Sequence, residues 1–232
     1  ADAERRLMHI VFENLLGMLA FARNDYGHAE PHVRRAWQNN ERLHKLQPDN
    51  ASFRKNLVFA TNNYELLMRV LGNYAEQSKT LDRALELNPS DPEALNDKAW
   101  FLATCPKVEL REAKRAVELA RRAVAGEPMN DSFRGTLGAA LLLSGDAKAA
   151  VDELNKVIKT ESPSSAADGF NYLFLAMALH RLSDSGGAKK KYALAVQWIE
   201  APTSMIHEAQ RASLRQLQRE AAAALGLPLP KE

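Results

Sequence analysis

The sequence predicts an all-α fold, a right-handed α-solenoid of about five helical hairpins followed by a C-terminal capping helix. Apolar residues recur at helical spacing along most of the 232-residue chain, a pattern typical of amphipathic helices. Prolines at positions 48, 89, 128 and 163 then interrupt this pattern at steps of 41, 39 and 35 residues. Residues 131–163 also follow the spacing of a helix-turn-helix repeat of about 34 residues. Together these observations indicate one array of repeated hairpins.

The stretch 131–163 shows how each hairpin is built. Leu137-Gly138, Leu141, Ala150 and Leu154 occupy the repeat positions, and Pro163 ends the unit. Between the two helices, Gly145 can adopt the left-handed conformation that ends a helix, and Asp146 can cap the next one. A single hairpin cannot bury its apolar stripe alone, so neighbouring hairpins are required.

Proline, glycine and capping residues also locate the other helices. The first helix is predicted over 4–22, and the second runs to residue 46 with Pro31 near its first turn, where a missing N–H is tolerated. Small residues that allow close helix approach are expected in the second helix of each pair, and Gln77 is the weakest fit among Ala36, Gln77, Ala116, Ala150 and Ala188. The predicted single domain, 1–232, comprises hairpins at 4–47, 51–88, 92–127, 131–161 and 168–200 and a cap helix at 205–225.

This spacing resembles that of tetratricopeptide repeats (TPRs) over nearly the whole chain. Strings such as ATCP at 103–106 and FLAMA at 174–178 are similar to the C-terminal repeat region of large bacterial multidomain serine/threonine protein kinases. The sequence contains no glycine-rich phosphate loop, HRD or DFG motif, so it is not itself expected to phosphorylate anything. The resemblance implies a kinase-associated interaction appendage.

Composition narrows the function classes. The formal net charge is +2, and the basic residues of the sixth and tenth helices are interleaved with acids or lack exposed aromatic neighbours, so nucleic-acid binding is disfavoured. No apolar run reaches the length of a membrane span, and no signal peptide is evident at the start. A single cysteine, Cys105, excludes an internal disulfide and fits a cytoplasmic protein.

Candidate chemical groups are few. His28 and His32 flank Glu30, but Pro31 and a helix start at Ala29 are expected to spoil metal-ligand geometry. Cys105 is expected to be a small buried loop residue. The three tryptophans are expected to pack between helices. We therefore predict no enzyme activity, no metal and no cofactor.

The remaining candidate is a peptide-binding groove. In TPR arrays the first helix of each pair lines the concave face, and the resemblance locates those positions here. Amides are expected to hold a peptide backbone, basic residues a carboxylate or phosphate, and small residues to leave room for an apolar anchor. The set is Asn62, Asn63, Lys98, Phe101, Gly135, Thr136, Ala139, Phe170, Met177, His180 and Arg181. The apolar members could instead pack against adjacent helices.

The terminal helix carries a stripe of small and apolar residues: Ile206, Ala209, Ser213, Leu214, Leu217, Ala221 and Leu225. We expect this helix to cap the array, and the alternative is a homodimer through it. The predicted function is a protein–protein or peptide interaction scaffold. The alternatives are a structural or oligomerisation spacer of a larger signalling protein and, less favoured, a nucleic-acid binder.

Overall fold

The computed structural model describes residues 2–201 and 208–229, and within these ranges the regular structure is entirely helical. The all-α hairpin architecture is therefore confirmed. A short 3-10 turn spans Val108–Leu110. The α-helices are α1 Asp2–Ala22, α2 Tyr26–Leu46, α3 Ala51–Val70, α4 Tyr74–Leu87, α5 Pro92–Thr104, α6 Ala113–Gly126, α7 Asp131–Ser144, α8 Ala147–Val157, α9 Ala166–Arg181, α10 Ser185–Glu200 and α11 Glu208–Ala224.

The break between α7 and α8 is as predicted. Gly145 has φ 103°, in the left-handed region, and the carboxylate of Asp146 accepts a hydrogen bond from the Ala149 N–H. Asparagine, serine or aspartate side chains accept hydrogen bonds in the same way at other helix starts, for example Asn50, Asn130 and Asp184. These caps satisfy N–H groups that a helix start leaves unpaired.

Several helix boundaries differ from the prediction, among them three starts that were expected at Ala29 for α2, Leu110 for α6 and Ala188 for α10. α2 begins at Tyr26, so Pro31 lies in its sixth position rather than its first turn; the Asp25 side chain caps the helix early. α6 begins at Ala113, because the Glu112 N–H bonds to the Leu102 carbonyl and the preceding residues form the separate 3-10 turn. α10 begins at Ser185 because Asp184 caps it.

Two compact units divide the chain, unit 1 over 1–94 and unit 2 over 95–232. In unit 1, each of α1 to α4 contacts its neighbour in sequence. Its core includes Val33 of α2 and Tyr64, Leu67 and Met68 of α3. Trp37 stacks on Tyr64 with ring centroids 4.8 Å apart, as expected for a tryptophan between helices. Whether the two units act as one domain stays a prediction.

Unit 2 is organised around α9, which contacts α7, α8, α10 and α11. Every residue of α9 from Asn171 to Ala178 is buried. α7 and α8 approach closely at Gly138, where an added Cβ would lie 2.6 Å from the Cγ of Leu154. The Leu-Gly signature in the sequence therefore marks a real helix–helix contact.

α11 packs onto α9 and α10 within unit 2. Its apolar side chains Leu214, Leu217, Ala221 and Leu225 are buried, and Glu220 accepts a hydrogen bond from Arg111, 3.1 Å away. Ile206, also assigned to this stripe, lies outside the described residues. Ser213 of the stripe is exposed, but the four buried apolar side chains leave little apolar surface for the homodimer considered above.

Candidate partner-binding surfaces

The two asparagines predicted to hold a peptide lie on α3 in unit 1. Asn62 is exposed and Asn63 is half-buried. One turn earlier, Phe59 projects into solvent with 52% of its surface exposed. Because residues three and four apart share a helix face, these three side chains form one surface, which we call the α3 face. Phe59 is not among the residues predicted from the sequence, although its three-residue spacing from Asn62 was the signal that could have identified it.

The charge of the α3 face is positive. Lys55, four residues before Phe59, and Arg69, seven after Asn62, are exposed on this side of α3. The sole acidic residue of α3, Glu65, is 7% exposed and lies 4.0 Å from Arg69. Glu65 accepts a 2.7 Å hydrogen bond from Nε2 of Gln77 on α4. This explains the polar residue at a position where the repeat pattern expects a small apolar one: Gln77 satisfies a buried carboxylate.

Six predicted groove residues in unit 2 are buried rather than open to a ligand. They are Lys98, Phe101, Gly135, Thr136, Ala139 and Met177. In the same unit, α5 and α9 contact each other through aromatic rings. Trp100 of α5 packs edge-on against Phe170 and Phe174 of α9, at centroid distances of 5.2 and 6.0 Å.

The space expected beside the small residues of α7 is also occupied. A Cβ added at Gly135 would lie 2.5 Å from Oδ1 of Asn171 on α9. Gly135 therefore lets α9 approach and does not leave room for a ligand's apolar anchor. The buried Lys98 places its Nζ 5.5 Å from the centroid of the Phe101 ring, so its charge faces a neighbouring side chain.

The other predicted residues of unit 2 keep some exposure. Phe170 and His180 are half-buried, and Arg181 is exposed. A guanidinium nitrogen of Arg181 donates to the Leu142 carbonyl at 2.5 Å, which fixes the side chain across α7. Within unit 2, these three are the predicted groove residues that keep accessible surface.

A cavity of about 670 Å³ lies between α2 and α4 in unit 1. Its lining is mostly charged: Trp37, Gln38, Glu41, Arg42, Lys45, Glu76, Lys79, Thr80, Arg83 and Glu86. Arg83 donates to both carboxylate oxygens of Glu41, at 2.7 and 3.2 Å, and these hydrogen bonds raise its pKa. The sequence did not predict this cavity, because charged residues three and four apart usually indicate a solvated helix face.

Residues considered for chemistry have partners of their own. His28 and His32 do lie four apart on one helix, contrary to the expectation that Pro31 would disrupt that spacing. However, His28 pairs with Asp25 at 2.8 Å and His32 with Glu13 at 2.6 Å. Burial raises the pKa of the Cys105 thiol, which disfavours the reactive thiolate form. Within the described ranges, no group of three His, Cys, Asp or Glu residues is placed to hold a metal ion.

No protein-family model and no curated protein matches this sequence. Solved structures do match. A tetratricopeptide repeat protein from Parabacteroides merdae ATCC 43184 has a TM-score of 0.62 at 12% identity, covering 94% of this chain and 74% of that one. MamA, residues 41 to the end, from Desulfovibrio magneticus RS-1 has a TM-score of 0.58 at 14% identity, and the match covers 82% of this chain and 94% of that one. TTC0263, a TPR protein of Thermus thermophilus, has a TM-score of 0.55 at 16% identity, and the match covers 94% of this chain and 100% of that one.

The chain therefore has the fold of TPR proteins, and at these identities the likeness concerns the fold alone. It does not test the resemblance to kinase repeat regions. Over residues 2–201 and 208–229, the helices are too short or too polar for any of them to cross a bilayer.

Proposed function

We propose that this protein is a non-enzymatic protein-interaction scaffold whose α3 face binds an acidic peptide segment carrying an apolar side chain. The observation that carries this proposal is Phe59, a half-exposed aromatic residue directly beside Asn62 and Asn63. Large apolar side chains flanked by hydrogen-bonding groups are typical anchors of protein interfaces.

Each part of the α3 face has a role in this proposal. Phe59 packs against the apolar side chain of the partner. The amides of Asn62 and Asn63 each offer a donor and an acceptor for the peptide backbone. Lys55 and Arg69 attract carboxylates, and the acid that pairs with Arg69, Glu65, is itself buried, so the partner segment is acidic. Since α3 is held by the core of unit 1 through Tyr64 and Leu67, binding does not require the face to fold first.

For unit 2 we propose the second function considered from the sequence, that of a structural spacer. The supporting observations are that six of the predicted groove residues there are buried and that Asn171 occupies the space beside Gly135. The resemblance to kinase repeat regions supports an association with signalling kinases. That association and a cytoplasmic location stay predictions.

The test is a selection of random linear peptides displayed on phage against the immobilised 232-residue chain. We expect the enriched peptides to combine aspartate or glutamate residues with a phenylalanine, leucine or similar anchor. They should lose binding to a Phe59→Ala/Asn62→Ala/Asn63→Ala variant that retains the wild-type circular dichroism spectrum. Enrichment of basic peptides, or of none, would contradict the proposal.

Met129→Ala is the matched control, because Met129 is an exposed apolar residue, 91% exposed, in the turn between α6 and α7. Its substitution should leave recovery of the selected peptides unchanged. Equal losses in the control and the triple variant would show that general surface stickiness, rather than the α3 face, captured the peptides.

A further inference from the structure

α1 carries a large apolar surface that its own unit does not cover. Six side chains are each more than half exposed, from 52% at Leu19 to 75% at Met8. We call this set the α1 stripe; it consists of Met8, Val11, Phe12, Leu15, Met18 and Leu19. The opposite side of α1 is used internally, since Ile10 and Glu13 are buried and Gly17 meets Val33 of α2. Apolar patches of this size on a protein surface mark interaction sites.

The spacing within the α1 stripe indicates what kind of element covers it. Met8 and Leu15, Val11 and Met18, and Phe12 and Leu19 are each seven residues apart. This seven-residue repeat, with three apolar positions per repeat, is the pattern by which one helix packs along another.

The charges around the stripe favour self-association. Between Ile10 and Phe21 the sole charged residue is Glu13, which is buried and lies 2.6 Å from His32 and 3.4 Å from Arg35. Two copies of the stripe can therefore meet without bringing like charges together at their centre. A stripe selected for a charged foreign helix would instead carry complementary charges along its edges.

We propose that the α1 stripe is a homodimer interface, in which α1 of one chain packs antiparallel against α1 of a second copy. Each exposed side chain contributes about 100 Å² of apolar surface, so a symmetric pair buries on the order of 1,200 Å², the lower limit for specific interfaces. For a transient homodimer at that lower limit we expect a dissociation constant of roughly 1–100 µM. In the antiparallel arrangement the positive end of each helix dipole lies beside the negative end of the other, which is favourable.

The two-fold symmetry makes the proposal specific. Across an antiparallel pair centred between Phe12 and Leu15, each Leu15 lies beside Phe12 of the second copy, and Met8 lies beside its Leu19. The homodimer thus uses residues of α1 and none of the residues of the α3 face. Its failure would therefore not affect the proposed peptide binding.

Sedimentation equilibrium of the whole chain from about 1 to 200 µM, a range that brackets this affinity, tests the proposal. We expect wild type to reach the mass of two chains, and Leu15→Glu to weaken dimerisation by at least ~100-fold, since it places a glutamate near the two-fold axis. Leu15 is exposed and glutamate is a good helix former, so the variant should keep its circular dichroism spectrum and melting temperature. Met129→Glu, which changes an exposed apolar residue outside α1, should dimerise as wild type does.

A thiol cross-link tests the antiparallel register. Met8→Cys/Leu19→Cys should give a covalent dimer with a short bis-maleimide, whereas Met8→Cys alone should not. Within one helix the two positions are about 16 Å apart, beyond the reach of that reagent. A monomeric wild type across the whole concentration range would overturn the proposal and assign the stripe to a different partner. Cross-linking through Met8→Cys alone would overturn the antiparallel arrangement.

Discussion

At the scale of residues, two contacts explain positions that repeat spacing alone leaves ambiguous. Gly138 is small because Leu154 of α8 occupies the volume that a Cβ would take. Gln77 is polar because it donates to the buried Glu65. The sequence could predict the first, since a Leu-Gly pair at this repeat position requires close helix packing. It could not predict the second, since Glu65 and Gln77 lie on different helices with nothing in the local pattern to link them.

Gly138→Ala should destabilise unit 2 by about 1–3 kcal/mol, because the added methyl group overpacks the contact with the fully buried Leu154. Gly27→Ala provides the matched control. A Cβ at Gly27 meets no atom within 4 Å, so that substitution in α2 should be neutral or stabilise by about 0.5–1 kcal/mol. Urea denaturation followed by circular dichroism measures both. Equal effects of the two substitutions would show that helix propensity, not packing, governs these sites.

Gln77→Ala distinguishes the structure from the repeat pattern. The pattern expects a small apolar residue at position 77, so on sequence grounds alone alanine should improve the fit. The structure predicts a loss of about 1–3 kcal/mol in the free energy of unfolding, because the Glu65 carboxylate loses a buried partner. Thermal and urea denaturation at neutral pH show whether the substitution raises or lowers the free energy of unfolding. A more stable variant would contradict the role assigned to the Gln77–Glu65 hydrogen bond.

At the scale of elements, polar contacts join helices that apolar packing brings together. Glu153 of α8 accepts hydrogen bonds from Arg134 of α7 at 3.0 Å and from Lys156 at 2.7 Å. Burial acts to raise the pKa of Glu153, but these hydrogen bonds outweigh it and lower the pKa below the usual value. The folded α7–α8 hairpin therefore favours the charged carboxylate.

This lowered pKa has a consequence for stability in acid. The folded protein holds Glu153 ionised where the unfolded chain, with a glutamate pKa of about 4.3, begins to take up a proton. Its stabilising contribution is present above that value and is lost as the pH falls through the lower folded pKa. Between pH values of about 5 and 3, the Glu153→Gln variant should therefore lose less unfolding free energy than wild type does, as measured by urea titrations. Glu118→Gln, at an exposed position of α6, is the control, and an identical acid profile for both variants would contradict the assignment.

Leu214→Ala tests the role of α11. Leu214 is fully buried, and its Cδ2 lies 3.2 Å from the position of a Cβ at Gly169 on α9. Removing its side chain should cost unit 2 about 2–5 kcal/mol. Denaturation of this variant is compared with that of Gln210→Ala, at an exposed position of the same helix. If α11 were instead a dimerisation helix, Leu214→Ala would change the sedimentation mass with little effect on monomer stability.

At the scale of the whole chain, the punctuation of the sequence predicted the helical hairpins, because proline, glycine and capping residues act locally. It was harder to predict which face of each helix is buried by its neighbours. The TPR resemblance placed Phe101 and Met177 in the groove, whereas apolar spacing offered packing against adjacent helices as the alternative, and both side chains are buried. The same spacing marked α1 as amphipathic without showing that Leu15 and Met18 stay exposed. Periodicity identifies a face, whereas the neighbour that covers it depends on tertiary contacts distant in sequence.

The proposed function depends on peptide binding by the α3 face. The most direct test is the ratio of the dissociation constants that one peptide has for a variant and for wild type. Isothermal titration of a peptide enriched on wild type would be compared with titration into Asn62→Ala/Asn63→Ala, with Met129→Ala as control. Both variants would first be matched to wild type by circular dichroism. Loss of the paired amide contacts predicts a dissociation constant at least ~10-fold higher for the asparagine variant and unchanged for the control. An unchanged dissociation constant for Asn62→Ala/Asn63→Ala would contradict the proposed peptide-binding surface.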